Sequence, residues 1–356
     1  MSLVYIPEND FKNIGGPTTF IKNLAKYFKE SGVDYTTDNH DDAQSILFPI
    51  NFDTSILKEY KKKDKPIIQR LDGVAPYPWH NFQGIGQLWM KHVYENSWIG
   101  PKRQVKYILD MYQINHVYQN YSDLVIFQSE YCKNLCFDAM KPIDSDKYTI
   151  IHNGVHSDIF YPLKEKELGD LPTFVMTGRF RRKDMLLPVL DALDLLKEKY
   201  KFRLKLIGPL EDKDVEREAN QRNYIDYKGP MTTLEIAKEL RSSDIYIFAS
   251  LNAPCPNALL EAVSSGLPIV SYDYGSVLEL LNFCPDLIAE TKPSYNPFIK
   301  SGKHLSAEAL MEKLELSLNQ FSHYKDLALV HSKDYSFEKC GDKYISAIKK
   351  LISGNV

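Results

Sequence analysis

Long apolar runs are missing from this chain of 356 residues. No stretch reaches the roughly 18 consecutive apolar residues that a bilayer-spanning helix needs, so any membrane contact is expected to be peripheral. The opening MSLVYIPENDF has neither the basic start nor the apolar run of a secretory signal. Cysteine is scarce, with five residues at positions 132, 136, 255, 284 and 340. Cys132 and Cys136 lie four apart, yet no His or further Cys follows at zinc-ligand spacing. A reduced, cytoplasmic protein without a metal is the expectation, with peripheral attachment to the inner membrane face left open. An excess of positive charge is also missing: 44 Lys and Arg face 47 Asp and Glu, for a net charge of −3. That balance argues against a protein that binds by neutralising many phosphates, and no nucleic-acid partner is expected. Internal repeats of solenoid length and low-complexity segments are absent as well.

What is present is ordinary globular composition, 44% hydrophobic and 26% charged, in a length that suits about two domains. Short apolar runs alternate with helical patterns, the signature of βα units on a parallel sheet. In the first half, residues 3–6, 45–49, 66–70 and 124–128 read as buried strands. Between them, 19–31 reads as a helix, with Phe20, Leu24, Tyr27 and Phe28 on one face. In the second half, strands are expected at 173–177, 202–207, 225–228, 245–249 and 268–271. Helices are expected at about 185–200, 214–223, 233–242 and 258–265. Gly266 sits where a helix C-cap glycine belongs, and Pro268 prevents continuation. Residues 156–172 mix Pro, Gly and charge without periodicity, which suits an interdomain hinge. The last helix is expected at 337–352.

Several segments have chemistry to offer. Residues 254–271, PCPNALLEAVSSGLPIVS, run from a strand through two prolines into a helix near Asn257. Unpaired amides and the dipole at such a helix start favour an anion such as a diphosphate. Glu261 follows about one turn in. Gly178 and Arg179 follow the strand 173–177, and Arg181, Arg182 and Lys183 make the loop basic. Gly15 and Gly16 lie between the first strand and helix, where glycine lets backbone approach a ligand, and Thr18 or Thr19 can cap the helix. Their spacing is not the GxGxxG of a dinucleotide-binding turn, which weighs against a nicotinamide enzyme. Asp72, in RLDG, follows a buried strand, where parallel sheets place functional groups; it is equally a turn-forming Asp-Gly. Arg70 faces Asp72 or a phosphate. Asp144 and Asp146 spell a metal-binding Asp-x-Asp but sit in a polar loop. The run Lys61–Lys65 reads as a solvated face. Residues 89–118 mix aromatics with basic residues and read as core packing, or as a membrane-surface or acceptor-binding helix.

LLEAVSSGLPIVSYDYGSVLEL (259–280) resembles the donor-binding signature of the family-4 retaining glycosyltransferases, also called glycosyl transferases group 1. GGPTTFIKNL (15–24), RLDG (70–73), FQSEYCK (127–133), IHNGVHSDIFYP (151–162) and FVMTGRFRRKD (174–184) resemble further pieces of it, in the family's order. The resemblance implies an α/β protein of GT-B fold, two Rossmann-like domains with parallel sheets facing across a cleft. It implies an acceptor-side domain at 1–160, a donor-binding domain at 161–336, and a last segment, 337–356, packing back on the first domain.

The family's activity would be transfer of a sugar, with retention, from a UDP- or GDP-type donor to a glycan or glycolipid hydroxyl. No cofactor is implied, since the nucleotide sugar is a co-substrate, and no metal. Arg179 and Lys183 would hold the diphosphate, with Gly15, Gly16, Gly178, Pro256, Asn257, Ala258 and Leu259 around the donor. Glu261 would bind ribose, and Asp72 would face the sugar or acceptor. Tyr272–Ser276 resemble the loop under the sugar. The chain departs from the family at Ala253, eight positions before Glu261, where a Glu is held to contact the transferred sugar. That gap motivates a second expectation, a catalytically degenerate nucleotide-sugar-binding relative; a nucleotide-sugar epimerase is a weaker third, because it needs acid/base groups around the sugar.

Overall fold

The structure is a computed structural model that describes residues 3–7, 16–38, 40–73, 101–163, 165–181, 183–250, 253–291 and 305–353. It divides into two compact units, residues 1–153 with 338–356, and residues 154–337.

The first unit contains β1 (Val4–Tyr5), α1 (Gly16–Glu30), β2 (Tyr35–Thr36), β3 (Ser45–Pro49), α2 (Thr54–Lys62) and β4 (Ile67–Leu71). After these come α3 (Pro101–Asn120), β5 (Leu124–Phe127), α4 (Glu130–Ala139) and β6 (Tyr148–Ile150). Its sheet runs in the order β2-β1-β3-β4-β5-β6 with every pairing parallel. The strand residues 45–49, 67–71 and 124–127 are buried throughout, because helices cover both faces of the sheet and leave no solvated side to alternate with. Each fully buried Leu, Ile or Phe of this set contributes about 2 kcal/mol through removal of apolar surface from water. The chain's last helix (Phe337–Ile352) belongs to this unit from residue 338 onward. Its Tyr344 ring lies 5.5 Å from that of Phe20, and Tyr27 donates through Oη to Asp342 Oδ1 at 2.8 Å.

The second unit holds β7 (Thr173–Thr177), α5 (Lys183–Leu196), β8 (Arg203–Ile207), α6 (Lys213–Asn220), β9 (Ile225–Gly229) and α7 (Thr233–Arg241). It continues through β10 (Ile245–Phe248), α8 (Asn257–Ser264), β11 (Ile269–Tyr272), α9 (Val277–Leu280), β12 (Ile288–Ala289), α10 (Ala307–Asn319) and α11 (Phe321–His331). Its parallel sheet runs β12-β11-β10-β7-β8-β9. Caps fix the helix starts: Thr232 and Glu235 form a reciprocal capping box on α7, and Asp212 caps α6. Beyond α8, Gly266 adopts φ 68° and Leu267 N–H returns to Ala262 O at 3.2 Å, closing the helix as its sequence position implies.

The 89–118 expectation is divided by the described residues. Residues 89–100 lie outside them, whereas α3 is a helix that sends Met111, Ile114, Val117 and Tyr118 into the core. Lys61 and Lys63 form ion pairs with Asp123 and Asp41. Asp144 precedes a short 3-10 turn (Ser145–Lys147) that contains Asp146, and Asp144 lies 3.7 Å from Lys147.

Candidate functional site

In the second sheet, β7 and β10 lie side by side while the chain leaves them toward opposite edges. A parallel sheet opens a crevice beyond the carboxyl ends of its strands at such a switch point. A cavity of about 190 Å³ lies there, walled by residues 176–180 after β7, residues 246–250 after β10, Met185, and Pro256, Asn257 and Ala258 at the start of α8. Gly178, Arg179, Pro256, Asn257 and Ala258 are therefore brought together around one volume. Leu259 points into the core instead, fully buried. The α8 N-cap is Pro256, which makes no side-chain capping bond, so the positive end of the helix is not covered by its own cap.

The loop after β7 is laced to the loop after β8. Phe180 N–H donates to Pro209 O, and Glu211 N–H to Phe180 O, each at 3.0 Å. Gly208, at φ 123°, permits this approach, because a Cβ there would stand 1.8 Å from the Gly178 carbonyl oxygen. The lacing delivers Glu211 to the arginines: Arg179 Nε donates to its Oε1 at 2.7 Å, and Arg181 Nε to its Oε2 at 3.0 Å. The hydrogen bond from Arg179 holds the Glu211 carboxyl below its ordinary range. Glu211 is a residue that local pattern does not single out, since its partners lie some thirty positions upstream and meet it only through the βα loops. Arg182 and the Lys183 side chain lie outside the described residues, although Lys183 opens α5.

Glu261 sits one turn into α8 and is half-buried, and no side chain among the described residues bonds its carboxylate. Burial pushes its carboxyl up to about 7. Its charge acts on Tyr246, which lines the cavity; burial and then that charge raise the phenol, whose oxygen lies 2.9 Å from Thr177 Oγ1. Ala253 is held by its backbone: its carbonyl accepts from Ser276 Oγ at 3.0 Å and Ser276 N at 3.3 Å. Asn252, which precedes Ala253 in the sequence, lies outside the described residues, as does Gly15. Gly16 is the first residue of α1.

Asp72 belongs to the first unit, and it is engaged. Its Oδ1 accepts from Arg70 Nη1 and from Gln128 Nε2. The Arg70 side chain is only 1% exposed; its Nε donates to Tyr344 Oη at 3.1 Å, its Nη2 donates to Asn153 Oδ1 at 3.0 Å, and its Cζ lies 4.0 Å from the Phe20 ring centroid. Asp72 thus balances a buried cation that would otherwise be strongly destabilising. Among the described residues, His40, Asp41 and Glu59 bring three metal-ligating atoms within 4.8 Å of one another, but Lys63 already pairs with Asp41 at 2.7 Å.

Comparison with known proteins bears on the fold. Residues 171–291 match the family model Glycosyl transferases group 1. A probable sucrose-phosphate synthase of Thermosipho melanesiensis is 24% identical over 237 residues, covering 63% of this chain and 52% of that protein. The chain therefore spans about half the length of that curated relative. The sucrose-phosphate synthase structure from Thermosynechococcus elongatus superposes with a TM-score of 0.69 at 12% identity, covering 99% of this chain and 100% of the other. A glycosyltransferase from Rickettsia africae gives 0.62 at 16% identity, over 99% and 98% of the two chains. HepE of Anabaena, in complex with UDP and glucose, gives 0.63 at 10% identity, over 98% of each chain. The chain has the GT-B fold, and its residues 171–291 match the family of glycosyl transferases group 1.

Proposed function

We propose that the protein is a metal-independent, retaining glycosyltransferase that moves a sugar from a UDP- or GDP-type donor onto a glycan or glycolipid hydroxyl. The observation that carries this reading is the cavity at the β7/β10 switch point, where Arg179 and the uncapped start of α8 meet, with Glu261 one turn further along that helix. A cation and a helix N-terminus suit a diphosphate, and a carboxylate one turn along suits the two hydroxyls of a ribose. The Anabaena relative, captured with UDP and glucose, supports the same donor class.

In this reading Arg179 and Lys183 hold the diphosphate, with Gly15, Gly16, Gly178, Pro256, Asn257 and Ala258 assigned around the donor. The bond from the anomeric carbon to the leaving phosphate oxygen breaks while the acceptor oxygen bonds the same face. The acceptor proton passes to the leaving phosphate. Charge grows on that phosphate as the bond lengthens, so fixed positive groups there lower the barrier. Asp72 is assigned to the acceptor or the transferred sugar through Oδ2, because Oδ1 is committed to Arg70 and Gln128. Attachment at the inner membrane face belongs to the same proposal where the acceptor is a glycolipid.

Ala253 supports one rival, a relative that binds nucleotide sugar without transferring it. Incubation with UDP- and GDP-sugars and a panel of glycan acceptors separates the two. Release of nucleotide diphosphate with a new glycosidic bond, its anomeric configuration read by NMR, supports the transferase. Tight nucleotide binding with neither transfer nor slow donor hydrolysis supports the rival.

A further inference from the structure

The first unit carries a second cavity, and nothing above uses it. Its sheet reverses direction between β1 and β3, so its own switch-point crevice lies beyond the carboxyl ends of those strands. Immediately after β3 the backbone is strained: Ile50, a β-branched residue, adopts φ 62°. The surroundings hold it there. Ile50 N–H donates to Arg70 O at 2.8 Å, and the buried Gln69 donates from Nε2 to Ile50 O at 2.7 Å. Gln69 is fixed in turn by Ser122 Oγ, which donates to its Oε1 at 2.8 Å. A strained residue that is over-determined in this way marks a conformation the fold keeps at a cost.

The turn sets Asn51 and Asp53 opposite α3, beside a cavity of about 450 Å³ that Tyr112, Gln113 and His116 also line. The groups there are poised to bond more than they do. Gln113 Oε1 accepts from Asn51 Nδ2 at 3.0 Å, which leaves Gln113 Nε2 without a partner among the described residues. Asn120 Nδ2 lies 3.2 Å from His116 Nδ1, which leaves the ring's Nε2 as a further hydrogen-bonding atom. Among the described residues, Asp53 accepts from Ser55 through Oδ1 alone, and Asn51 Oδ1 is buried without a partner. Tyr112 is 71% exposed, an aromatic face turned to solvent beside these polar groups.

We propose that this cavity binds a neutral saccharide. A pyranose has hydroxyls that both donate and accept, matching a mixed set of amide, imidazole and carboxylate groups. It also has an apolar C–H face that an exposed tyrosine ring covers with little loss of side-chain freedom. No Lys or Arg lines the cavity among the described residues, and Asp53 brings negative charge, so a phosphorylated ligand is disfavoured. The saccharide class rests on this lining; its assignment as the acceptor sugar rests on the transfer proposed above.

The test is saturation-transfer NMR on the full chain with methyl glucosides, galactosides and mannosides and with N-acetylglucosamine. At least one should receive saturation and bind roughly tenfold more weakly to Gln113→Ala and to Tyr112→Ala, since one or two hydrogen bonds or a ring contact is lost. Tyr112→Phe, which keeps the ring face, should stay within about threefold of the parent protein. Both alanine changes are at exposed positions, and unchanged circular dichroism and thermal midpoint confirm the fold. No saturation of any of these saccharides by folded protein, or saturation undiminished in both alanine variants, overturns the proposal. Nucleotide-induced thermal shifts measured on the same samples read the donor site alone, so failure of either site is recognised separately.

Discussion

Arg179 and Glu211 are bound to each other across two βα loops, Nε to Oε1 at 2.7 Å, and Arg181 shares the other carboxylate oxygen. The carboxylate orients Arg179, which lines the switch-point cavity, together with Arg181, and it also competes with any anion that would bind them.

That competition gives the first prediction. Arg179→Ala should weaken binding of the cognate nucleoside diphosphate by about tenfold or more, the usual effect of losing a charge-assisted bond. Glu211→Gln should tighten it severalfold, because both arginines are released. Isothermal titration of the two variants checks the opposite signs.

Glu261 gives a pH dependence. Its carboxyl titrates at about 7 in the folded protein, well above its ordinary value of 4.5. The folded state therefore holds this proton more tightly than the unfolded chain, so stability is full below about pH 4.5 and falls as pH rises to about 7. Glu261→Gln should remove that loss, on the order of 2 kcal/mol, in urea unfolding at pH 8 compared with pH 5.

Ligand binding should run the other way. A carboxylate accepts from two ribose hydroxyls, so only the ionised form serves. Between pH 6 and 8 the ionised fraction of a group titrating at about 7 rises about tenfold, and nucleotide affinity should rise with it. The Gln variant, titrated at both pH values, should show no such rise.

These expectations draw on features that the sequence discloses unevenly. The strand 173–177 is legible to the residue, because a continuous apolar run between charged segments has one reading in a parallel sheet. The two-residue strands β2 and β12 are not, since two residues carry no periodicity. Gly178 and Arg179 are visible because a glycine follows a strand end. Glu211 is not, since its role arises from the Gly208 contact that brings two loops together. Arg70 beside Asp72 is a local reading, but Tyr344, which closes the other side of the guanidinium, stands 274 positions away. Ile50 carries no local sign of its left-handed backbone, which Gln69 and Arg70 impose from the neighbouring strand.

Gly208→Ala tests the loop lacing. The added methyl would meet the Gly178 carbonyl at 1.8 Å and force an L-residue to φ 123°. A loss of about 2–4 kcal/mol is expected, from overpacking and backbone strain together. Denaturant unfolding measures it, and nucleotide binding should weaken in parallel because the clash displaces Gly178 and Arg179 from the cavity wall.

Asp72→Asn should destabilise the first unit by about 3–5 kcal/mol, because it leaves the Arg70 guanidinium buried without its counter-charge. Replacing Arg70 and Asp72 together with Met and Leu should recover part of that loss in the same unfolding experiment.

The donor site in the second unit is tested most directly by a thermal-shift screen against UDP, GDP, ADP and their common sugars. A ligand that binds the folded state alone raises the midpoint by mass action. The expected result is a clear rise with UDP or GDP that is lost in Arg179→Ala and in Glu261→Ala. No rise with any of these nucleotides from folded protein, or a rise that both variants retain, would contradict a nucleotide-sugar site at the β7/β10 switch point.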